Sequence, residues 1–371
     1  MTSFNQRFST SRSRRTYPKW LQFVAVYGGS FALAVAASAQ PPSGTTKLIW
    51  ESLPSIPDSN GFASPFVGVN YGALIVAGGS NFPDKKLWEG GSKAWYDTVF
   101  ALAEPNGEWK RVGKLPRPIA GGVSVSTRSG IACIGGGDAT KCYADCFLLK
   151  VKNGSVITTP LPSLPKPCAN AACMLVGDTI YVAGGIERPD ATNTLNTFWA
   201  LDLRNTSAGW QVLPTWPGPN RMLATIGAQG GAIYLFSGTN LKPGGDGKPE
   251  RVWLQDAFKY LPKQGWTRIA DLPRVAVAAP SPAPAVGTSQ LLVLGGDDGA
   301  QAKLPQQTHT GFRRDVLAYN TASNTWRTVG ELPFSLVTTP AVRWQNRLVI
   351  PGGEERPCIR SNKVWATTIE P

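Results

Sequence analysis

A paired glycine closes a short apolar run six times along this 371-residue chain. The copies are Ala77-Gly78-Gly79, Gly135-Gly136-Gly137, Ala183-Gly184-Gly185, the degraded Ser237-Gly238, Leu294-Gly295-Gly296 and Pro351-Gly352-Gly353. Their second glycines stand at 79, 136, 185, 238, 296 and 353, spaced 49 to 58 residues apart. Self-similarity at that period belongs to radial or solenoidal arrays. The diglycine has a physical reason: it lets backbones crowd together and supplies positive φ where a strand turns into a loop.

Each unit repeats one grammar. An apolar strand precedes the glycine-ended run, and a third strand follows, as in Asp97–Leu102 or Asp315–Asn320. A fourth strand carries a tryptophan, Trp109, Trp210, Trp266 or Trp326, which the second unit lacks. A Leu-Pro pair ends each of the first five units, at 115–116, 164–165, 213–214, 272–273 and 332–333. Four short strands between turn signals describe one propeller blade. The sixth unit lacks its fourth strand because the chain stops at Pro371. The missing piece stands at the other end: Lys47-Leu48-Ile49-Trp50 followed by Leu53-Pro54. The expectation is an all-β, six-bladed propeller closed by an N-terminal strand that completes the C-terminal blade, which removes an open sheet edge.

With 40 Gly and 31 Pro, and no helical periodicity past the first forty residues, the rest of the chain suits a loop-rich β-protein. Residues 1–39 read as an export leader and 40–371 as the propeller. Arg7, Arg12, Arg14, Arg15 and Lys19 form a basic region without acids, Leu21 to Val35 is apolar, and Ala37-Ser38-Ala39 precedes Gln40 as a small-residue cleavage site. The apolar stretch is too short for a membrane span, so none is expected in the mature chain. Ser13-Arg14-Arg15-Thr16 resembles a twin-arginine signal, though Tyr17 and Pro18 stand where Phe and Leu are usual; a general secretory signal is the other reading. Either leads to the periplasm. Removing the five leader positives from the formal +13 leaves +8, which favours anionic ligands. No basic run with interleaved aromatics points to nucleic acid.

Six cysteines fit an exported protein, with connectivity unreadable from sequence and Cys133 expected in the core. The one histidine, His309, lies in the polar stretch Gln306-Gln307-Thr308-His309-Thr310 and reads as an exposed loop residue. One imidazole cannot build a histidine-rich copper, zinc or iron site, and no phosphate loop or G-x-S-x-G elbow is present, so neither metal nor organic cofactor is expected. What remains are carboxylates and guanidiniums on the loops after the diglycines, which cluster at one end of the central channel. They include Glu89, Asp138, Glu187, Asp297, Asp298, Glu354, Glu355, Arg188, Arg356 and Arg360, with Asn81, Trp88 and Trp95 in the long first loop. Glu354 directly follows the last diglycine and is pinned by a strand end. Arg360 offers a forked donor pair suited to a carboxylate-bearing ligand, or else simply pairs with Glu354. Arg221 is a second candidate fork.

The repeat resembles the kelch repeat. Residues 353–361, GEERPCIRS, are similar to the motif G-E-x-[KR]-P-x-x-R-[ST] of the N-acetylneuraminate epimerases, bacterial sialic acid mutarotases built as six-bladed kelch propellers. The resemblance spans about residues 46–368. It implies Glu354 as the proton acceptor and Arg360 as its active-site partner; the segment from Asn220, resembling a family segment, adds Arg221. Glu89 and Asn81 are further substrate-binding candidates, and a small acidic sugar is the expected partner. The unit from Phe66 to Gly79 comes first here and the Glu motif last, so the chain resembles a cyclically permuted branch. It departs at Cys358, where the family commonly has Gly. The other class of function left open is a non-catalytic propeller that binds a glycan or a protein.

Overall fold

The computed structural model describes residues 48–369 apart from 246. The expected leader, 1–39, lies outside the described residues. Six four-stranded antiparallel sheets follow one another around an axis. The first blade consists of Phe66–Asn70, Ala73–Ala77, Thr98–Leu102 and Lys110–Lys114, from the inside out. The innermost strands of the other blades begin at Val123, Ala172, Thr225, Ala285 and Val342. Trp50–Leu53 is the outermost strand of the last blade, with Trp50 opposite Thr367 and Leu53 opposite Val364. The expected closure is therefore present. Arg347 pairs with Glu51 at 2.8 Å, and the Thr367 hydroxyl donates to the Ile49 carbonyl at 2.8 Å.

Closure is also written in the backbone at the hub. One residue per blade, ahead of the innermost strand, has positive φ: Ser64, Gly121, Asn170, Leu223, Ala278 and Thr338, between 54° and 72°. Their N–H groups donate in a continuous circle: Gly121 to Ser64, Asn170 to Gly121, Leu223 to Asn170, Ala278 to Leu223, Thr338 to Ala278 and Ser64 to Thr338, at 2.7–3.0 Å. The last link joins the sixth blade to the first and exists only in a closed ring of six. Five of these residues are not glycine, and each left-handed conformation costs on the order of 1 kcal/mol. The circle that satisfies their polar groups offsets that cost.

The apolar core is distributed between neighbouring blades. One cluster joins Val67, Leu74 and Phe100 of the first blade to Trp344, Val349 and Val364 of the last. Four blade tryptophans lock their sheets to the preceding one: the indole N–H of Trp109 donates to the Pro54 carbonyl at 2.7 Å, Trp210 to Pro162 at 2.8 Å, Trp266 to Pro214 at 3.0 Å and Trp326 to Ala270 at 2.9 Å. In the second blade Thr158 faces Leu149, the register position at which Trp266 faces Tyr260 and Trp326 faces Tyr319. An open groove lined by Leu115, Pro116, Phe147 and Thr158 lies there. The degraded fourth diglycine keeps the same backbone, with Ser237 at φ 56°. The Ser237 hydroxyl repays the poorer conformation by accepting from Ala276 N–H and donating to the Leu254 carbonyl, each at 2.8 Å.

Candidate active site

The residue after each diglycine makes a β-bridge to the residue before its own blade's hub position. The six equivalent residues are Ser80, Gly137, Ile186, Thr239, Asp297 and Glu354. They surround the axis at one mouth of the ring, and two of them, in adjacent blades, are carboxylates.

Glu354 opens a small hairpin, Glu354–Arg356 with Ile359–Arg360, in which Glu354 lies opposite Arg360. Its Oε1 accepts the Cys358 N–H at 2.9 Å and forms an ion pair with Arg360 Nη1. Both side chains are largely enclosed, 16% and 7% exposed. Arg360 Nε donates to the Ser80 carbonyl at 3.4 Å, and its guanidinium lies 5.0 Å from the Phe82 ring centroid. Arg360 thus ties the last blade to the equivalent position of the first. Cys358 sits at the hairpin turn with φ 64°, which explains why Gly is common at that place in the resembling motif: only glycine adopts it without strain.

Arg221 departs from expectation. Its guanidinium does not reach the channel; it is fully buried and bidentate to Asp256, at 3.0 and 2.9 Å, with a further bond to the Ser237 carbonyl at 2.8 Å. Trp216 and Phe258 lie 5.3 and 5.1 Å from it. Burial is the largest influence on this arginine and lowers its pKa. Asn81 is likewise fully buried: its amide donates to the Gly61 carbonyl at 2.9 Å and Asp58 at 3.3 Å, and its oxygen accepts the Tyr96 hydroxyl at 2.7 Å. It shapes the first loop beneath Ser80. Glu89 is exposed on a single 3-10 turn, Leu87–Glu89, where its carboxylate accepts the Lys86 N–H at 2.8 Å. Asp138 accepts the Tyr143 hydroxyl, the Thr140 N–H and hydroxyl at 2.7 Å and the Lys141 N–H at 3.0 Å; the Tyr143 bond leads in holding its carboxyl far below the usual range. Each of these side chains has a structural duty.

Sequence reasoning placed Asp297 among the loop carboxylates without a role, read His309 as exposed and did not single out Lys93. His309 is buried, 5% exposed, and not an exposed loop residue. A short 3-10 turn, Gln306–Thr308, and the Phe312 ring 4.9 Å away enclose it; the polar stretch around it concealed this. Its Nδ1 accepts the Gly311 N–H at 3.1 Å, so the neutral ring carries its proton on Nε2. Desolvation, first among its influences, lowers its pKa, while Asp297 and then Glu354 pull it upward. Asp297 Oδ1 accepts the Gly299 N–H at 2.9 Å, and burial raises its pKa. Lys93 has its ammonium 4.9 Å from the Trp95 ring centroid. It is exposed and lines a cavity with Trp95 and Asp138, and desolvation followed by Arg360 lowers its pKa against the pull of Glu354.

The mouth therefore holds two carboxylates in different surroundings, one neutral imidazole, and the cations Arg360 and Lys93. Such a set can accept and donate protons and hold an anion. Among the described residues, no group of three or more His, Cys, Asp or Glu side chains is placed to hold a metal. No helix among them is long and apolar enough to cross a membrane.

Residues 33–158 and 161–300 match the sequence profile of the N-acetylneuraminate epimerase family. N-acetylneuraminate epimerase from Haemophilus influenzae (strain PittEE) is 28% identical over 224 residues, 54% of this chain and 57% of that one. The protein of that name from Yersinia pestis (strain Pestoides F) is 28% identical over 231 residues, 55% and 56% of the two chains. The chain thus spans little more than half the length of these relatives. The solved structure of YjhT superposes with a TM-score of 0.62 at 15% identity, over 84% of this chain and 95% of the other, and shares the propeller fold. With both matched stretches spanning most of the propeller, the chain belongs to the N-acetylneuraminate epimerase family.

Proposed function

We propose that the protein interconverts the anomers of N-acetylneuraminate or a closely related acidic sugar. The observation that carries this reading is the Glu354–Arg360 pair, enclosed at the hub in a rigid hairpin. Mutarotation opens the pyranose and recloses it with the opposite anomeric configuration. A base takes the anomeric hydroxyl proton while an acid protonates the ring oxygen. Glu354 is the base. Arg360, already desolvated, shares its guanidinium with the sugar carboxylate, and Lys93 adds a second positive charge to the mouth. Arg221, Asn81 and Glu89 support the walls and do not touch the sugar.

The cyclically permuted order is consistent with the matched stretches, which end at residue 300, short of the Glu354 hairpin. In a closed ring, moving the termini preserves spatial neighbours. The basic, apolar and small-residue segments of 1–39 support export to the periplasm.

Calorimetric titration of wild type and Arg360→Ala with N-acetylneuraminate and a neutral hexose tests the substrate class. The reading expects the wild type to prefer the acidic sugar and the variant to lose that preference. Equal binding of both sugars by the wild type contradicts it. Acidic-sugar binding without accelerated anomer exchange assigns the propeller to the non-catalytic binding class.

A further inference from the structure

A base alone leaves ring opening incomplete, because a proton must also reach the ring oxygen. This inference rests on the mutarotase reading and deepens it. We propose that Asp297 is the acid that acts opposite Glu354, with His309 stationed beside it.

Three observations place Asp297 in that role. It occupies the post-diglycine position of the fifth blade, and Glu354 occupies the same position of the sixth; both bridge to the residue before the hub circle, Asp297 to Val277 and Glu354 to Val337. The hub circle joins these two blades directly, through Thr338 N–H and the Ala278 carbonyl at 2.9 Å. Of the two Asp297 oxygens, Oδ1 takes the Gly299 N–H, and Oδ2 has no hydrogen-bond partner among the described residues.

His309 supplies an independent sign that a ligand belongs here. It is 95% enclosed. Nδ1 is occupied by Gly311, whereas Nε2 has no hydrogen-bond partner among the described residues. Nε2 is also not among the sealed, unpartnered polar atoms, so it opens onto space. Asp297 and His309 line one cavity together with Arg356, and Asp297 and Glu354 both act electrostatically on the His309 ring. A buried donor of this kind awaits an acceptor.

The surroundings of the two carboxylates differ in the required sense. Glu354 has the Arg360 guanidinium as an ion-pair partner. Asp297 has none among the described residues; burial raises its pKa, Asp298 adds to the rise, and Arg251 and His309 oppose it. An ion-paired carboxylate suits the base and a buried carboxyl the acid.

The step balances. Glu354 takes the anomeric hydroxyl proton, the bond from the anomeric carbon to the ring oxygen breaks, and the protonated Asp297 gives its proton to that oxygen. The open-chain keto form turns about its carbon–carbon bond. Asp297 then takes the proton back from the hydroxyl as it attacks the other face of the carbonyl, and Glu354 returns its proton to the new anomeric oxygen. Both residues end as they began.

The test is anomer exchange of N-acetylneuraminate by proton NMR, as a function of pH, for wild type, Asp297→Asn, Asp297→Glu and His309→Gln. The acid form of a group with a raised pKa is present below that pKa and lost above it. Wild-type exchange should therefore fall on an alkaline limb. Asp297→Asn should exchange roughly 10²–10⁴-fold more slowly and lose that limb, Asp297→Glu should regain part of the rate with the limb shifted, and His309→Gln should keep the limb. An alkaline limb that survives Asp297→Asn overturns the assignment, as does its disappearance only in His309→Gln. A wild type that does not accelerate exchange at any pH overturns the mutarotase reading itself, and the Asp297 assignment with it. Melting curves on the same samples separate lost chemistry from lost folding.

Discussion

Replacing Asp256 by Asn should unfold this propeller more readily than any surface change, although Asp256 is remote from the proposed chemistry. Arg221 is 0% exposed and Asp256 13% exposed. Two unit charges about 3 Å apart attract by about 5 kcal/mol at an effective dielectric near 20. Desolvation opposes this strongly enough to lower the Arg221 pKa despite its partner, so the intact pair adds little net stability. Removing one partner is different, because it leaves the other charge buried without compensation, at a cost of about 3–5 kcal/mol. Unfolding entropy is about 2 cal/mol/K per residue, so a ring of this size should lose about 4–7 °C in Tm. The double variant Arg221→Met, Asp256→Leu should lose less than Asp256→Asn alone, since it removes both charges and keeps volume between Trp216 and Phe258. Differential scanning calorimetry of wild type, Asp256→Asn, Arg221→Met and the double variant reads the comparison. An Asp256→Asn midpoint within 1 °C of wild type refutes the scaffold assignment. So does an Arg221→Met variant with unchanged melting but acidic-sugar affinity weakened more than tenfold, which restores the clamp role.

Other outcomes follow from single positions. Thr158→Trp should fill the groove between the first and second blades and raise stability by about 0.5–2 kcal/mol; a lower Tm shows that the groove is not shaped for an indole. Cys358→Gly keeps the N–H that Glu354 accepts and relieves the φ of 64°, so Tm should stay level or rise by an amount equivalent to about 1 kcal/mol, with exchange activity retained; a loss of more than 2 °C contradicts this. All six cysteines are free and buried. Desolvation pushes Cys142 up to about 11 and Cys146 up to about 12. Native protein should therefore react slowly with a thiol reagent at neutral pH, and all six thiols should react only in denaturant; rapid native labelling contradicts the packing.

The ring was legible because its signals are local and repeated. A diglycine after an apolar run, a tryptophan four strands into the unit, and a lone Trp strand near Leu53 specify blade count and closure without any knowledge of tertiary contacts. The position of Glu354 at the mouth was legible for the same reason, since it directly follows a glycine pair. The remaining site was not, because its determinants are distant in sequence. Arg221 looks like a free fork until Asp256, 35 residues on, is folded against it. His309 looks exposed among glutamines and threonines until Phe312 and the Gln306–Thr308 turn enclose it. Lys93 sits in an irregular loop, and only the pairing of Ser80–Asn81 with Ala94–Trp95 brings that loop back to the mouth. Glu89 belongs to that same loop, where its carboxylate caps its own 3-10 turn.

The most direct measurement is two-dimensional exchange NMR on N-acetylneuraminate at equilibrium, comparing wild type with Glu354→Gln. The amide preserves an acceptor for the Cys358 N–H while abolishing the base. Wild type should speed anomer interconversion above the buffer rate, and Glu354→Gln should fall to that rate within experimental error, with an unchanged melting curve. Exchange by Glu354→Gln at the wild-type rate would contradict the account.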